Sequence, residues 1–177
     1  MGGRAGGGAS GGMGSGSRGG LQSALRSKEN AIRNMDVEHS FVFDDKGNIV
    51  FSAVGDKHSV SMAGAKDRIT LHNHPSGGSF SEKDIQSVLY ANEKEMRVVG
   101  GNYTYSLKRP TGGWNSSHMK AYKAAVKKIN AADAAYQDKY KGDYWTTFRR
   151  INRTHEHRVM KEFAKQMGYE YTKTKTK

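Results

Sequence analysis

Leu71-His72-Asn73-His74-Pro75-Ser76-Gly77-Gly78-Ser79-Phe80-Ser81-Glu82-Lys83-Asp84 is the stretch on which the reading of this 177-residue chain turns. Arg68-Ile69-Thr70-Leu71 at its head is a short β-type run, and a strand alternates its side chains with a period of two. His72 and His74 are therefore expected on one face of a strand end, with their imidazoles converging. Two convergent imidazoles suit a divalent ion such as zinc. Pro75 ends the strand, and Gly77-Gly78 lets the chain turn back. Ser81 then opens a helix expected from Glu82 to about Lys94, with Ile85, Val88 and Leu89 on one side. Asp84, in its first turn, can reach the same point. Two nitrogens and one carboxylate oxygen, with a fourth position open to water, are the donor set of a catalytic rather than a structural zinc site. Ser81-x-x-Asp84 is equally the pattern of a helix N-terminus, where an acid is stabilising without any metal. One carboxylate oxygen cannot fill both roles.

The flanks frame this stretch as part of a sheet. Upstream, Glu38–Asp44 and Ile49–Ser52 read as two strands joined by turn residues Asp45-Lys46-Gly47-Asn48, a β-hairpin. Gly55–Ala65 is small and polar, with at most one irregular turn of helix. Downstream, Met96–Val99 and Asn102–Leu107 read as strands split by Gly100-Gly101. Two helices follow, Ser116–Tyr140 and about Tyr144 to Met167. Tyr122, Val126, Ile129 and Tyr136 form the expected inner stripe of the first; Phe148, Ile151, His155, Val159 and Phe163 form that of the second. Gly168 fits a C-terminal cap, and Tyr169–Thr172 an edge strand. Trp114 and Trp145 are expected to pack the helices onto the sheet. The expected fold is α/β: a small mixed sheet with packed helices, a C-terminal helical pair and a disordered N-terminal tail.

Composition sets further bounds. Of 22 glycines, 11 fall in Met1–Gly20 with almost no large apolar residue among them, so residues 1–20 read as a disordered tether. Residues 21–36 read as a short helix or linker, 37–110 as the core, and 111–177 as a basic helical extension packed on it. The chain has no cysteine, which excludes a disulfide framework and thiolate ligands and leaves His, Asp and Glu to hold any metal. No apolar run reaches membrane-spanning length and no signal-peptide pattern opens the chain. A soluble chain made in the cytosol is expected, and no membrane partner. Net charge is +12, and Lys141–Lys177 holds ten Lys/Arg against four Asp/Glu. Nucleic acid is thus a candidate partner for the C-terminal helices, a solvated basic face being the alternative.

The His72–Asp84 stretch resembles the metal-binding motif of JAMM/MPN+ metalloproteases and RadC-like proteins: His-x-His-Pro, a short loop, then Ser-x-x-Asp, with a Glu on an upstream strand. His72-Asn73-His74-Pro75-Ser76-Gly77 is especially close to the RadC-like version. The wider pattern, from Asp36 to Pro110, resembles a domain at the C-termini of phage minor head (head-morphogenesis) proteins and related mobile-element proteins. The resemblance implies a JAMM/cytidine-deaminase-like core and an amide or isopeptide hydrolase. It implies His72, His74 and Asp84 as zinc ligands, Ser81 as the donor to a developing oxyanion and Glu38 as the general base. Asp44, Asp45 and Asp56 are competitors for that last role. Six residues separate His74 from Ser81, one fewer than is usual in the family. The implied partners are a protein substrate or a virion protein, and the implied setting is a host cell or virion. The alternative is a non-enzymatic virion or DNA-associated module with a structural or degenerate metal site.

Three histidines outside the motif were also candidates. His155 and His157 lie two apart on a helix, where side chains do not face each other, so they make a poor chelate. His155 is expected at the core boundary, and His58 as a loop residue that could border the pocket. Arg149, Arg150, Arg153 and Arg158 form the densest basic patch, framed by no nucleic-acid motif.

Overall fold

The computed structural model describes residues 16–140 and 143–176. In chain order the elements are α1 (Gly16–Ile32), β1 (His39–Phe43), β2 (Ile49–Val54), β3 (Ile69–His74), α2 (Glu82–Ala91), β4 (Glu95–Gly100), β5 (Tyr103–Lys108), α3 (Ser116–Lys139), α4 (Tyr144–Met167) and β6 (Tyr171–Lys175). The strands form one six-stranded mixed sheet in the order β2-β1-β3-β4-β5-β6. The architecture is α/β, with four helices packed on a mixed sheet.

Local chemistry explains most of the boundaries. The β1–β2 hairpin turns where Asp44 Oδ1 accepts from the backbone N–H groups of Lys46 and Asn48, both at 2.9 Å, and where Gly47 adopts φ +91°. Asn92 and Gly168 sit in the left-handed conformation that ends α2 and α4. Asn115 caps α3 through its side chain, accepting from Ser117 N–H at 2.9 Å. The expected tether ends earlier than composition indicated: α1 already begins at Gly16, and residues 1–15 of that tether lie outside the described residues. Glycine lowers helix propensity by about 1 kcal/mol relative to alanine, but burial of Leu25 and Ile32 against the sheet secures the helix.

Every neighbouring pair of strands is antiparallel except β3–β4. Parallel neighbours need a crossover, and here the crossover is the motif loop followed by α2. Strand alternation then divides β3 between two layers. Ile69 and Leu71 pack with Phe43, Val99, Leu25 and Ile32 beneath α1. On β4 and β5 the opposite face carries Met96, Val98, Tyr105 and Leu107 into a larger core with α2, α3 and α4. His72 pairs with Val98 in the ladder and so lies on that second face. The segment expected as an extension is part of this core: Tyr122, Ala125, Val159, Met160 and Phe163 are buried in it, and β6 is the sixth strand.

The tryptophans divide. Trp114 packs edge-on against Tyr169 with centroids 5.5 Å apart, and its Nε1 donates to Glu93 O at 3.0 Å. Trp145 is 66% exposed and does not pack on the sheet, and Phe148, expected on the inner stripe of α4, is 38% exposed. Both sit in the first turns of α4. No helix among the described residues is long and apolar enough to cross a membrane.

Candidate metal centre

The site sits at the carboxyl end of β3. Period-two geometry brings the imidazoles of His72 and His74 together: their Nε2 atoms are 3.0 Å apart. Pro75 and Ser76 start the loop, Gly77 N–H donates back to His74 O at 2.9 Å, and Gly77 takes φ +81°. The chain then enters α2 with Ser81 as its N-cap, which brings Asp84 over the histidines. Asp84 Oδ1 lies 3.2 Å from His72 Nε2, and Asp84 Oδ2 lies 3.4 Å from His74 Nε2. Ligands about 2.0–2.1 Å from a tetrahedral zinc stand roughly 3.3 Å from one another. The two imidazole nitrogens stand 3.0 Å apart and each faces a different Asp84 oxygen at 3.2 or 3.4 Å, distances near that edge length, and two imidazoles with a carboxylate are a fitting donor set. No other His/Asp/Glu group among the described residues could hold a metal ion in this way.

The cap and the ligand set share the Asp84 carboxylate, Oδ2 serving the cap while it also faces His74, and Oδ1 being left to His72. Asp84 Oδ2 accepts from Ser81 N–H at 2.7 Å and Ser81 Oγ at 2.8 Å, while Ser81 Oγ accepts from Asp84 N–H at 3.2 Å. This reciprocal capping box is complete. Asp84 Oδ1 takes no part in it and faces His72. Burial disfavours the Asp84 charge, yet the two imidazoles outweigh burial and hold its carboxyl well below the usual range. Burial likewise opposes a charge on His74, and Asp84, with Glu38 and Glu156 adding to it, more than offsets burial, so the His74 pKa is raised. His72 Nδ1 is buried without a hydrogen-bond partner among the described residues, so packing between its strand neighbours orients that ring.

Glu38 and Ser81 line one cavity of about 150 Å³ together with His74, Asp84, His58, Met62 and Ser87. Extending the β1–β3 register, in which Ser40 faces His72, by two residues sets Glu38 opposite His74. Burial pushes the Glu38 carboxyl upward, against the pull of His74 and His72. Glu38 N–H donates to Asp56 O at 2.7 Å across the hairpin, and Asp56 N–H closes the next turn by donating to Ser59 O at 3.0 Å. His58 borders the cavity from an exposed loop. Asp44 is engaged in the hairpin turn, and Asp45 pairs with Lys94 at 2.6 Å, so neither competes with Glu38.

Three supporting residues escaped the sequence reading. Asn73, fully buried between the two histidines, points to the opposite face of β3. Its Oδ1 accepts from His39 N–H at 2.7 Å, and its Nδ2 donates to Val37 O at 3.0 Å. It thereby fastens the backbone on both sides of Glu38. A polar residue alternating with strand ligands must find partners on the other face, and that was the available signal. Glu93 is also fully buried; Thr70 Oγ1 donates to it at 2.5 Å and Ser87 Oγ at 3.2 Å. Burial pushes its carboxyl up to about 7, and it ties β3 to α2 behind the site. Glu156, from α4, lies against Gly78, where an added Cβ would meet its carboxylate. Ser79 Oγ and His157 Nδ1 both bond the Tyr171 hydroxyl, at 3.0 and 2.8 Å. The C-terminal elements therefore brace the motif loop, a long-range arrangement no local pattern encodes.

No protein-family model, curated protein or solved structure matches the chain. The functional reading rests on the site itself.

Proposed function

We propose that the chain is a zinc-dependent hydrolase of the JAMM/MPN+ type that cleaves an amide or isopeptide bond in a protein substrate, in a phage or mobile-element setting. The observation that carries this reading is the gathering of His72 Nε2, His74 Nε2 and an Asp84 carboxylate oxygen beside a cavity that also holds Glu38 and Ser81. Those three atoms would hold the ion, which when bound acidifies water to a pKa of about 7 and polarises a carbonyl. Glu38 takes the proton of the attacking water on its carboxylate and delivers it to the departing amine. A carboxyl raised by burial is suited to both halves of that transfer. Ser81 Oγ, turned from Asp84 Oδ2 toward the cavity, donates to the carbonyl oxygen as charge builds there. A space of about 150 Å³ admits the scissile amide and a water while the bulk of a protein substrate stays outside.

Metal analysis of the purified chain is expected to show about one zinc per chain. His72→Ala with His74→Ala is expected to remove it, and full zinc occupancy in that double variant would sink the assignment. Glu38→Gln is expected to keep zinc and lose about 100-fold or more of the hydrolysis of isopeptide-linked lysine conjugates. Undiminished hydrolysis in Glu38→Gln would remove Glu38 as the base. Zinc without hydrolysis in the unaltered chain would favour the non-enzymatic virion module.

A further inference from the structure

The start of α4 carries an aromatic surface that the fold does not use. Tyr144, Trp145 and Phe148 are 60%, 66% and 38% exposed. Their rings nonetheless gather: Tyr144 lies 5.4 Å from Trp145 and 5.8 Å from Phe148, the latter nearly parallel at 20°, and Trp145 lies 6.2 Å from Phe148. Trp145, Arg149 and Arg153 follow at intervals of four, so they share one stripe of the helix. Arg149 Nε donates to Trp145 O at 3.3 Å, which holds its guanidinium over the same turn. Arg150, one residue around the helix, stacks on Tyr136 at 4.8 Å. Among the described residues none of Arg149, Arg150 and Arg153 forms an ion pair. Toward the sheet, Arg153 borders a groove whose other wall is Ser76, Gly77 and Gly78 of the motif loop.

We propose that this tip of the α3–α4 hairpin binds single-stranded nucleic acid, its rings stacking on unpaired bases while Arg149, Arg150 and Arg153 contact phosphates. Charge complementarity selects a polyanion: α4 carries six Lys/Arg against two Glu. Arginines directly beside Phe148 interrupt the apolar area that a hydrophobic protein interface or a bilayer would bury. An acidic peptide would satisfy the arginines and leave three flat rings without flat partners. A duplex hides its base faces, whereas a single strand offers both base faces and phosphates.

The test titrates the full chain with fluorescently labelled oligothymidylate, a DNA duplex, heparin and polyglutamate, and reads anisotropy and tryptophan emission. Oligothymidylate is expected to bind most tightly and to quench Trp145. Trp145→Leu, which keeps apolar bulk without a π face, is expected to weaken binding about tenfold or more, and Trp145→Phe to restore most of it. Three phosphate contacts on a single strand predict a fall of roughly twentyfold between about 50 and about 200 mM salt. Binding duplex, heparin or polyglutamate as tightly as the single strand overturns the proposal, as does binding indifferent to Trp145→Leu. Absence of binding at low salt overturns it too, as does self-association through the tip that Trp145→Leu abolishes.

Discussion

The chain contains His-x-His twice, and the two copies have opposite fates. On β3, His72 and His74 bring their Nε2 atoms to 3.0 Å and their ring centroids to 4.8 Å. On α4, His155 and His157 part company. His155 Nδ1 bonds Asp133 Oδ2 of α3 at 2.8 Å, whereas His157 Nδ1 bonds the Tyr171 hydroxyl of β6 at 2.8 Å. Two residues advance a helix by roughly 200°, so side chains at that interval leave on opposite sides, while on a strand they return to the same side. The acid companions differ as well. Asp84 leaves Oδ1 facing His72, but Asp133 is spent on His155 and on Arg158 at 2.5 Å. Burial, with Lys173 and Lys161 adding to it, lowers the His157 pKa to about 4, so that imidazole joins two elements as a neutral group. Spacing becomes chemistry only through the period of the element that carries it.

The largest expected effect breaks this comparison directly. His74→Ala removes a donor from the β3 cluster and should weaken zinc binding by more than about 100-fold, since even an outer-shell loss costs roughly 10–100-fold. His155→Ala with His157→Ala should leave zinc affinity within about twofold and instead lower stability by about 2 kcal/mol through the two lost hydrogen bonds. Competition with a chromophoric chelator measures the first quantity and urea unfolding the second. Equal losses of zinc in both variants would mean that the helical pair also feeds the metal.

Much of this contrast was legible in the sequence, because it depends on periods and turn residues. The strand pair, the Gly77-Gly78 turn, the N-cap at Ser81 and the limits of α4 all follow from local rules. What escaped depends on contacts between distant segments. Asn73 reaches back to Val37 and His39, and Glu156 lies on a loop 78 positions upstream in the case of Gly78. Trp145 has the character of a core residue, but it falls on the exposed first turn of α4. The start of α1 at Gly16 was hidden for a related reason: glycine content describes the isolated chain, whereas burial of Leu25 and Ile32 decides the helix.

A smaller effect sharpens how the helical copy supports the strand copy, since Glu156, between His155 and His157, touches the motif loop. At Gly78 the three nearest atoms an added Cβ would meet all belong to that carboxylate, the far end of a side chain. At Gly100, which pairs with His74 across the ladder, it would meet Gly78 O at 2.5 Å and Gly77 C at 2.8 Å, both backbone atoms. Gly100→Ala should therefore cost about 1–3 kcal/mol in urea unfolding, as overpacking does, and should weaken zinc binding by shifting His74. Gly78→Ala should cost a fraction of that. The reverse order would show that the Glu156 contact, rather than the β4 end, fixes the loop.

The smallest effect separates the two duties of Asp84. Ser81→Ala deletes the hydroxyl that accepts from Asp84 N–H and donates to Asp84 Oδ2. Loss of an N-cap of this kind costs about 1 kcal/mol, and Ser81 N–H, still donating to Oδ2, keeps the carboxylate in place. Oδ1 faces His72 without help from the hydroxyl, so zinc stoichiometry should stay at that of the unaltered chain while the unfolding midpoint falls. Zinc lost along with stability would mean that the cap aims the ligand and that one oxygen cannot be altered without the other. Zinc retained would show why a helix N-terminus and a metal ligand can occupy the same residue: the helix uses Oδ2 alone, and Oδ1 is left to His72.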